Sequence, residues 1–158
     1  MEKHRFFMEL AYQQALKAYQ KDEVPIGAVL VDKDGNVIAR GYNQVEKKIT
    51  QVEHAEILAL KKAAQKIGDW RLDGMTLYVT VQPCMMCLGA IYLSRISKVV
   101  YGVISPKYGF DIDVKKISGI YQNLHMKIEY IHYIQSEKLL QKFFEKKRRS
   151  HEIKQSRS

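Results

Sequence analysis

At 158 residues, with 46% hydrophobic and 27% charged side chains, the chain has the length and composition of one folded domain rather than a disordered segment. No apolar run approaches the ~20 residues of a membrane span, and the opening "MEKHRFFMELAYQQ" lacks the apolar stretch of a signal peptide, so a cytoplasmic, reducing compartment is expected. The net charge of +9 is uneven: residues 136–158 hold eight Lys or Arg against three Glu, a basic C-terminal helix and tail that suits a polyanion, nucleic acid foremost.

Phe7, Leu10, Ala11, Ala15 and Ala18 recur at helical spacing and predict an amphipathic helix over residues 4–20. "VPIGAVLV" (24–31) and "NVIAR" (36–40) read as strands joined by "DKDG", where Asp34-Gly35 is a hairpin turn signal. "HAEILALKKAAQKI" (54–67) is a second helix, stopped by Gly68. "TLYVTV" (76–81) is apolar on both faces, as in a strand covered by helices on two sides. Pro83 suits the first turn of a helix that runs through "CMMCLGAIYLS". "KVVYGV" (98–103) and "KIEYIHYI" (127–134) are expected as two more buried strands, the second alternating, and a short helix fits around 113–124. "SEKLLQKFFEKKRR" closes the chain as a helix in which Leu139 with Phe143, and Leu140 with Phe144, are spaced to pack inward. The order α-β-β-α-β-α-β-(α)-β-α shows no repeat and no interdomain linker. It predicts a single α/β domain with three α/β/α layers, whose mixed five-stranded sheet joins an antiparallel hairpin to parallel strands with crossover helices.

Both cysteines lie in "PCMMC". As residues i and i+3 of a helix, Cys84 and Cys87 point to one face, in a first turn whose free N–H groups favour thiolates. That pair suits a redox couple and a metal site equally. "VEHAEIL" separates the two readings. His54 and Glu56 also start a helix just after a loop, and at a helix mouth both can face one space. A redox couple has no use for a His-x-Glu. Two thiolates and one imidazole match a three-ligand zinc site with a fourth position open, the catalytic rather than the structural arrangement, because the other histidines lie elsewhere in the chain. Glu56 then stands where a proton can be taken up and passed on.

His-Ala-Glu followed by Pro-Cys-x-x-Cys is the zinc deaminase signature. Beyond it, "DEVPIGAVLV", "RGYN", "HAEILAL", "TLYVT", "PCMMCLGAIYLSRISKVVYG" and "FFEKKRR" together resemble bacterial tRNA-specific adenosine deaminases, over roughly residues 5–150. The resemblance implies a cytidine-deaminase-like fold, a homodimer, and conversion of adenosine to inosine at the wobble position of a tRNA anticodon stem-loop. It makes His54, Cys84 and Cys87 zinc ligands, Glu56 the proton shuttle, and Asn43 a contact to the flipped nucleoside; the plain alternative for Asn43 is a turn residue after a strand. Lys146, Lys147, Arg148 and Arg149 are read as contacts to RNA phosphates, against the alternative of a solvated helix face. Three positions depart from the family pattern. Gln82 stands where a glutamate is usual, Glu53 where a small residue is usual, and Ser105 replaces the acid of an Asp-Pro-Lys loop. Two competing readings follow: a zinc deaminase of a free base or nucleoside of the guanine or cytosine type, or a non-catalytic zinc-containing RNA-binding subunit.

Overall fold

Alternation along the central strands sorts the core into two halves. In the computed structural model, which describes residues 1–109 and 126–157, strands β1 (Gly27–Val31), β2 (Val37–Tyr42), β3 (Thr76–Val79), β4 (Lys98–Tyr101) and β5 (Lys127–Tyr130) form one sheet of order β2-β1-β3-β4-β5. β1 runs antiparallel to both β2 and β3, while β3, β4 and β5 are mutually parallel. Ala28, Leu30, Leu77, Val79 and Val99 point to one face, and Val29, Val31, Tyr78 and Val100 to the other. Both sets are buried, so each face needs a helical cover.

Helix α1 (Glu2–Gln20) covers the second face with Phe7, Met8 and Ala11, and the C-terminal helix α5 (Ile134–Ser156) packs beside it through Leu139 and Phe143. Helices α3 (Ala55–Ile67) and α4 (Met85–Leu93) cover the first face. The close approach on each side depends on a glycine. A Cβ on Gly27 would lie 2.0 Å from the Ala11 carbonyl oxygen of α1, and one on Gly41 would lie 2.3 Å from the Ala55 carbonyl oxygen of α3. The expected three-layer α/β/α arrangement and mixed sheet are therefore present.

Several local expectations are revised. The last strand ends at Tyr130 instead of residue 134, and as an edge strand it turns Ile128 and Tyr130 outward rather than into a core. α5 runs seven residues past the expected end at residue 149. A four-residue helix, α2 (Val45–Lys48), was not anticipated; it buries no side chain and so has no periodicity to detect. The helix expected around 113–124 lies outside the described residues.

Because β1 is antiparallel to its neighbours, its start lies at the same end of the sheet as the ends of β2, β3 and β4. That end carries residues 23–26, 43, 80–84 and 102–109, and the first residues of α3 and α4 approach it. Open α/β sheets bind their ligands at the carboxyl ends of parallel strands.

Candidate active site and metal centre

Two helix mouths meet here. His54 is the N-cap of α3 with extended backbone (φ −72°, ψ 154°), and Cys84 is the N-cap of α4 (φ −74°, ψ 171°). Being still non-helical, each turns its side chain toward the axis end of its own helix rather than along the flank. His54 Nδ1 lies 3.6 Å from Cys84 Sγ and 3.3 Å from Cys87 Sγ. The three ligand atoms all fall within 4.8 Å of one another, a donor set compatible with a metal ion. Cys87 is fully buried and Cys84 half-buried.

The cluster is electrostatically coupled. The hydrogen bond from Cys87 draws the Cys84 thiol down to about 4, with His54 adding to the effect against the opposing cost of burial. The same bond, together with burial, pushes Cys87 up. The two thiols are therefore coupled and titrate as a pair rather than singly. Hydrogen bonding to Cys84 raises His54, and the charge of Glu56 adds to it. Burial holds Glu56 above the usual carboxylate range, since a charged carboxylate loses its hydration there.

His54, Glu56, Cys84 and Asn43 line one cavity of about 1030 Å³. Asn43 is buried; its backbone N–H donates to the Ile26 carbonyl and its Nδ2 donates to the Val24 carbonyl at 3.3 Å. That second bond fixes which way the amide points. It leaves Oδ1 buried without a partner at the cavity wall.

Glu23 was missed by sequence reasoning. It is 1% exposed, lines the same cavity, and accepts the backbone N–H groups of Glu46 (3.0 Å) and Lys47 (2.7 Å) on its two carboxylate oxygens. It therefore clamps the start of α2, just after Asn43. An acid between a helix and a buried strand is the only signal in the sequence, and it carries no spacing to a partner.

The three departures from the family pattern each have a place. Gln82 Oε1 accepts the Ser105 N–H at 3.1 Å and its own N–H donates to Val103, so a neutral amide supplies the acceptor that anchors the loop after β4. Ser105 takes part through its backbone. Glu53 lies 3.9 Å from Lys61 on the outer side of α3.

The expectation that Leu140 and Phe144 pack inward is corrected. Only Leu139 and Phe143 reach the core, while Leu140 and Phe144, one residue on and so about 100° around the helix, line the cavity. Lys146, Lys147, Arg148 and Arg149 do not line it. They lie just beyond Phe144 on α5, with Lys147 and Arg148 three and four residues on and hence on its side of the helix. Lys147 is paired with Asp22 at 2.6 Å, and Lys146 lies 5.9 Å from the Tyr19 ring centroid.

The MafB19-like deaminase profile matches residues 1–148. The tRNA-specific adenosine deaminase of Bacillus subtilis (strain 168) is 49% identical over 109 residues, covering 69% of this chain and 67% of that protein. That of Aquifex aeolicus (strain VF5) is 38% identical over 144 residues, covering 90% of this chain and 95% of its own. A solved structure from a study of A-to-I editing by tRNA:A34 deaminases at the wobble position superposes with a TM-score of 0.73 at 41% identity, over 80% of this chain and 98% of that one. A guanine deaminase from Bacillus subtilis superposes with a TM-score of 0.61 at 34% identity, over 75% and 74% of the two chains.

Proposed function

This chain belongs to the tRNA-specific adenosine deaminases, with a cytidine-deaminase-like fold, and we propose that it hydrolyses adenosine to inosine at the wobble position of tRNA in the cytoplasm. The observation that carries the reading is the meeting of a His/Cys/Cys cluster, a buried glutamate and an unpartnered amide oxygen at one cavity.

His54, Cys84 and Cys87 would hold zinc. Their ligand atoms all lie within 4.8 Å of one another, and two thiols with one imidazole are a donor set that zinc would take. Two thiols and an imidazole, with no fourth ligand in the cluster among the described residues, suit an open site. When bound, zinc acidifies water enough to make it a nucleophile near neutral pH. The other steps belong to the chain. Asn43 accepts a hydrogen bond from the nucleoside and orients it. Glu56, whose burial raises its affinity for a proton, takes a proton from the attacking water and gives it to the purine ring nitrogen. It then relays the second proton to the amino group, which leaves as ammonia. Water and adenosine are consumed; inosine and ammonia are formed.

The substrate is read as an anticodon stem-loop on two grounds: the relatives act on tRNA by name, and the basic end of α5 continues from the cavity rim. Lys146, Lys147, Arg148 and Arg149 would meet phosphates there, with Lys147 exchanging Asp22 for RNA. The protein is further read as a homodimer. α4 carries no charged residue, and its outward face of Met85 (69% exposed), Gly89 and Leu93 (55% exposed) recurs every four residues as an apolar stripe. Among the described residues no helix is long and apolar enough to cross a membrane.

The test is to incubate zinc-loaded protein with tRNA bearing a wobble adenosine and to measure inosine by mass spectrometry. Inosine is expected. Turnover of free guanine or cytosine with none on tRNA would move the substrate to a free base, the reading that the likeness to a guanine deaminase favours.

A further inference from the structure

The loop after β4 presents an aromatic ring at the mouth of the cavity, and nothing in the chemistry above uses it. Tyr108 lines the cavity and is 68% exposed. Its backbone is not free to wander. Gln82 Oε1 holds the Ser105 N–H, and the Gly109 N–H closes back on the Ser105 carbonyl at 2.8 Å. A Cβ on Gly109 would stand 2.2 Å from Gln82 Oε1, so the loop lies tight against the residue two before Cys84. The ring is therefore carried on a short tether from the metal cluster. Lys107, its neighbour, places Nζ 5.1 Å from the ring centroid and also lines the cavity.

Resting on the tRNA reading, we propose that Tyr108 is a specificity-determining residue that stacks on the nucleobase next to the one being deaminated, with Lys107 facing the phosphate between them. A base can reach Glu56 at the inner end of the cavity only by leaving its stack. Its neighbour on the strand is then left at the mouth with one face bare. An exposed, anchored aromatic ring beside a cation is the surface that single-stranded RNA binds through base faces and backbone charge. A free base has no such neighbour, so the contact separates RNA from small substrates.

The test uses the full-length, zinc-loaded protein and a synthetic anticodon stem-loop, intact or made abasic at the nucleotide 5′ or 3′ of the target adenosine. Tyr108→Ala should raise KM for the intact RNA about tenfold, within the range of a base–aromatic stack, with kcat much less affected. Tyr108→Phe should recover most of that loss. At one of the two flanking positions the abasic RNA should cost wild type a similar factor and cost Tyr108→Ala little more, because the partner is already missing. Wild-type inosine formation with unchanged KM in Tyr108→Ala overturns the stacking role alone, as does a Tyr108→Ala loss that is additive with both abasic positions. No inosine from wild type overturns the tRNA reading, and this proposal with it.

Discussion

Glu23→Gln isolates a residue that touches no substrate atom in the proposed chemistry. The two carboxylate oxygens of Glu23 each accept one backbone N–H, from Glu46 and from Lys47, in a site with almost no solvent. Glutamine keeps one acceptor and turns the other into an N–H₂ group facing an N–H donor. One hydrogen bond to a charged acceptor is lost and a buried donor is opposed, a cost of about 2 kcal/mol. The penalty should stay local, since α2 buries no side chain and can open without unfolding the sheet. Opening loosens the segment that begins at Asn43 and lowers the fraction of molecules able to bind. At about 1.4 kcal/mol per factor of ten, KM for tRNA can rise up to ~30-fold, with little change in melting temperature. Steady-state kinetics measure the first effect, and hydrogen exchange at the Glu46 and Lys47 amides, which should quicken, measures the second. Wild-type KM together with unchanged exchange would refute the clamp.

Four further outcomes are expected. Glu56→Ala should abolish inosine formation by at least ~100-fold, the typical contribution of a positioned acid–base group, while the metal content stays equal by atomic absorption; retained activity would remove Glu56 from the chemistry. Zinc affinity should fall as pH is lowered. Cys87 and His54 are both raised above their ordinary values and must each lose a proton to bind zinc, whereas the Cys84 thiol is drawn down, so metal titration should release protons and a flat profile would contradict the ligand set. Gln82→Glu should leave zinc content and rate within about twofold, because a carboxylate oxygen offers Ser105 N–H the same acceptor; a large change in either would mean that the amide does more than anchor the loop. Gly89→Glu has open space for its Cβ and should fold normally, yet bury a charge in any dimer formed through α4, so light scattering should report monomers; an unchanged mass would place the dimer surface elsewhere.

The residues proposed to carry the chemistry were legible as candidates because each belongs to a local motif at a helix start. His54 with Glu56, and Cys84 with Cys87, lie within four residues of each other, although Cys84 is the extended N-cap and Pro83 precedes the helix instead of sitting in its first turn as expected. The buried strands were legible for a similar reason: β1 and β3 are apolar on both faces, and only helical cover on both sides accounts for that. Where α5 points its side chains was not legible. Leu139–Phe143 and Leu140–Phe144 have the same spacing and the same apolarity, and the two pairs differ only by a rotation of about 100° that the docking of α5 on α1 resolves. The alternation over residues 127–134 likewise matches a buried strand, but its position at the sheet edge leaves it with one neighbour and exposed side chains.

Local sequence thus determined which residues could bind metal and move protons. Tertiary structure decided that motifs thirty residues apart share one cavity, through the pairing of β1 with β3 and of α3 with α4 over the same face. It also decided that Glu23 and Tyr108 belong to that cavity at all. Their roles come from contacts across the fold, to backbone N–H groups twenty-three and twenty-four residues away and to the open mouth, and such contacts leave no periodic trace in the chain.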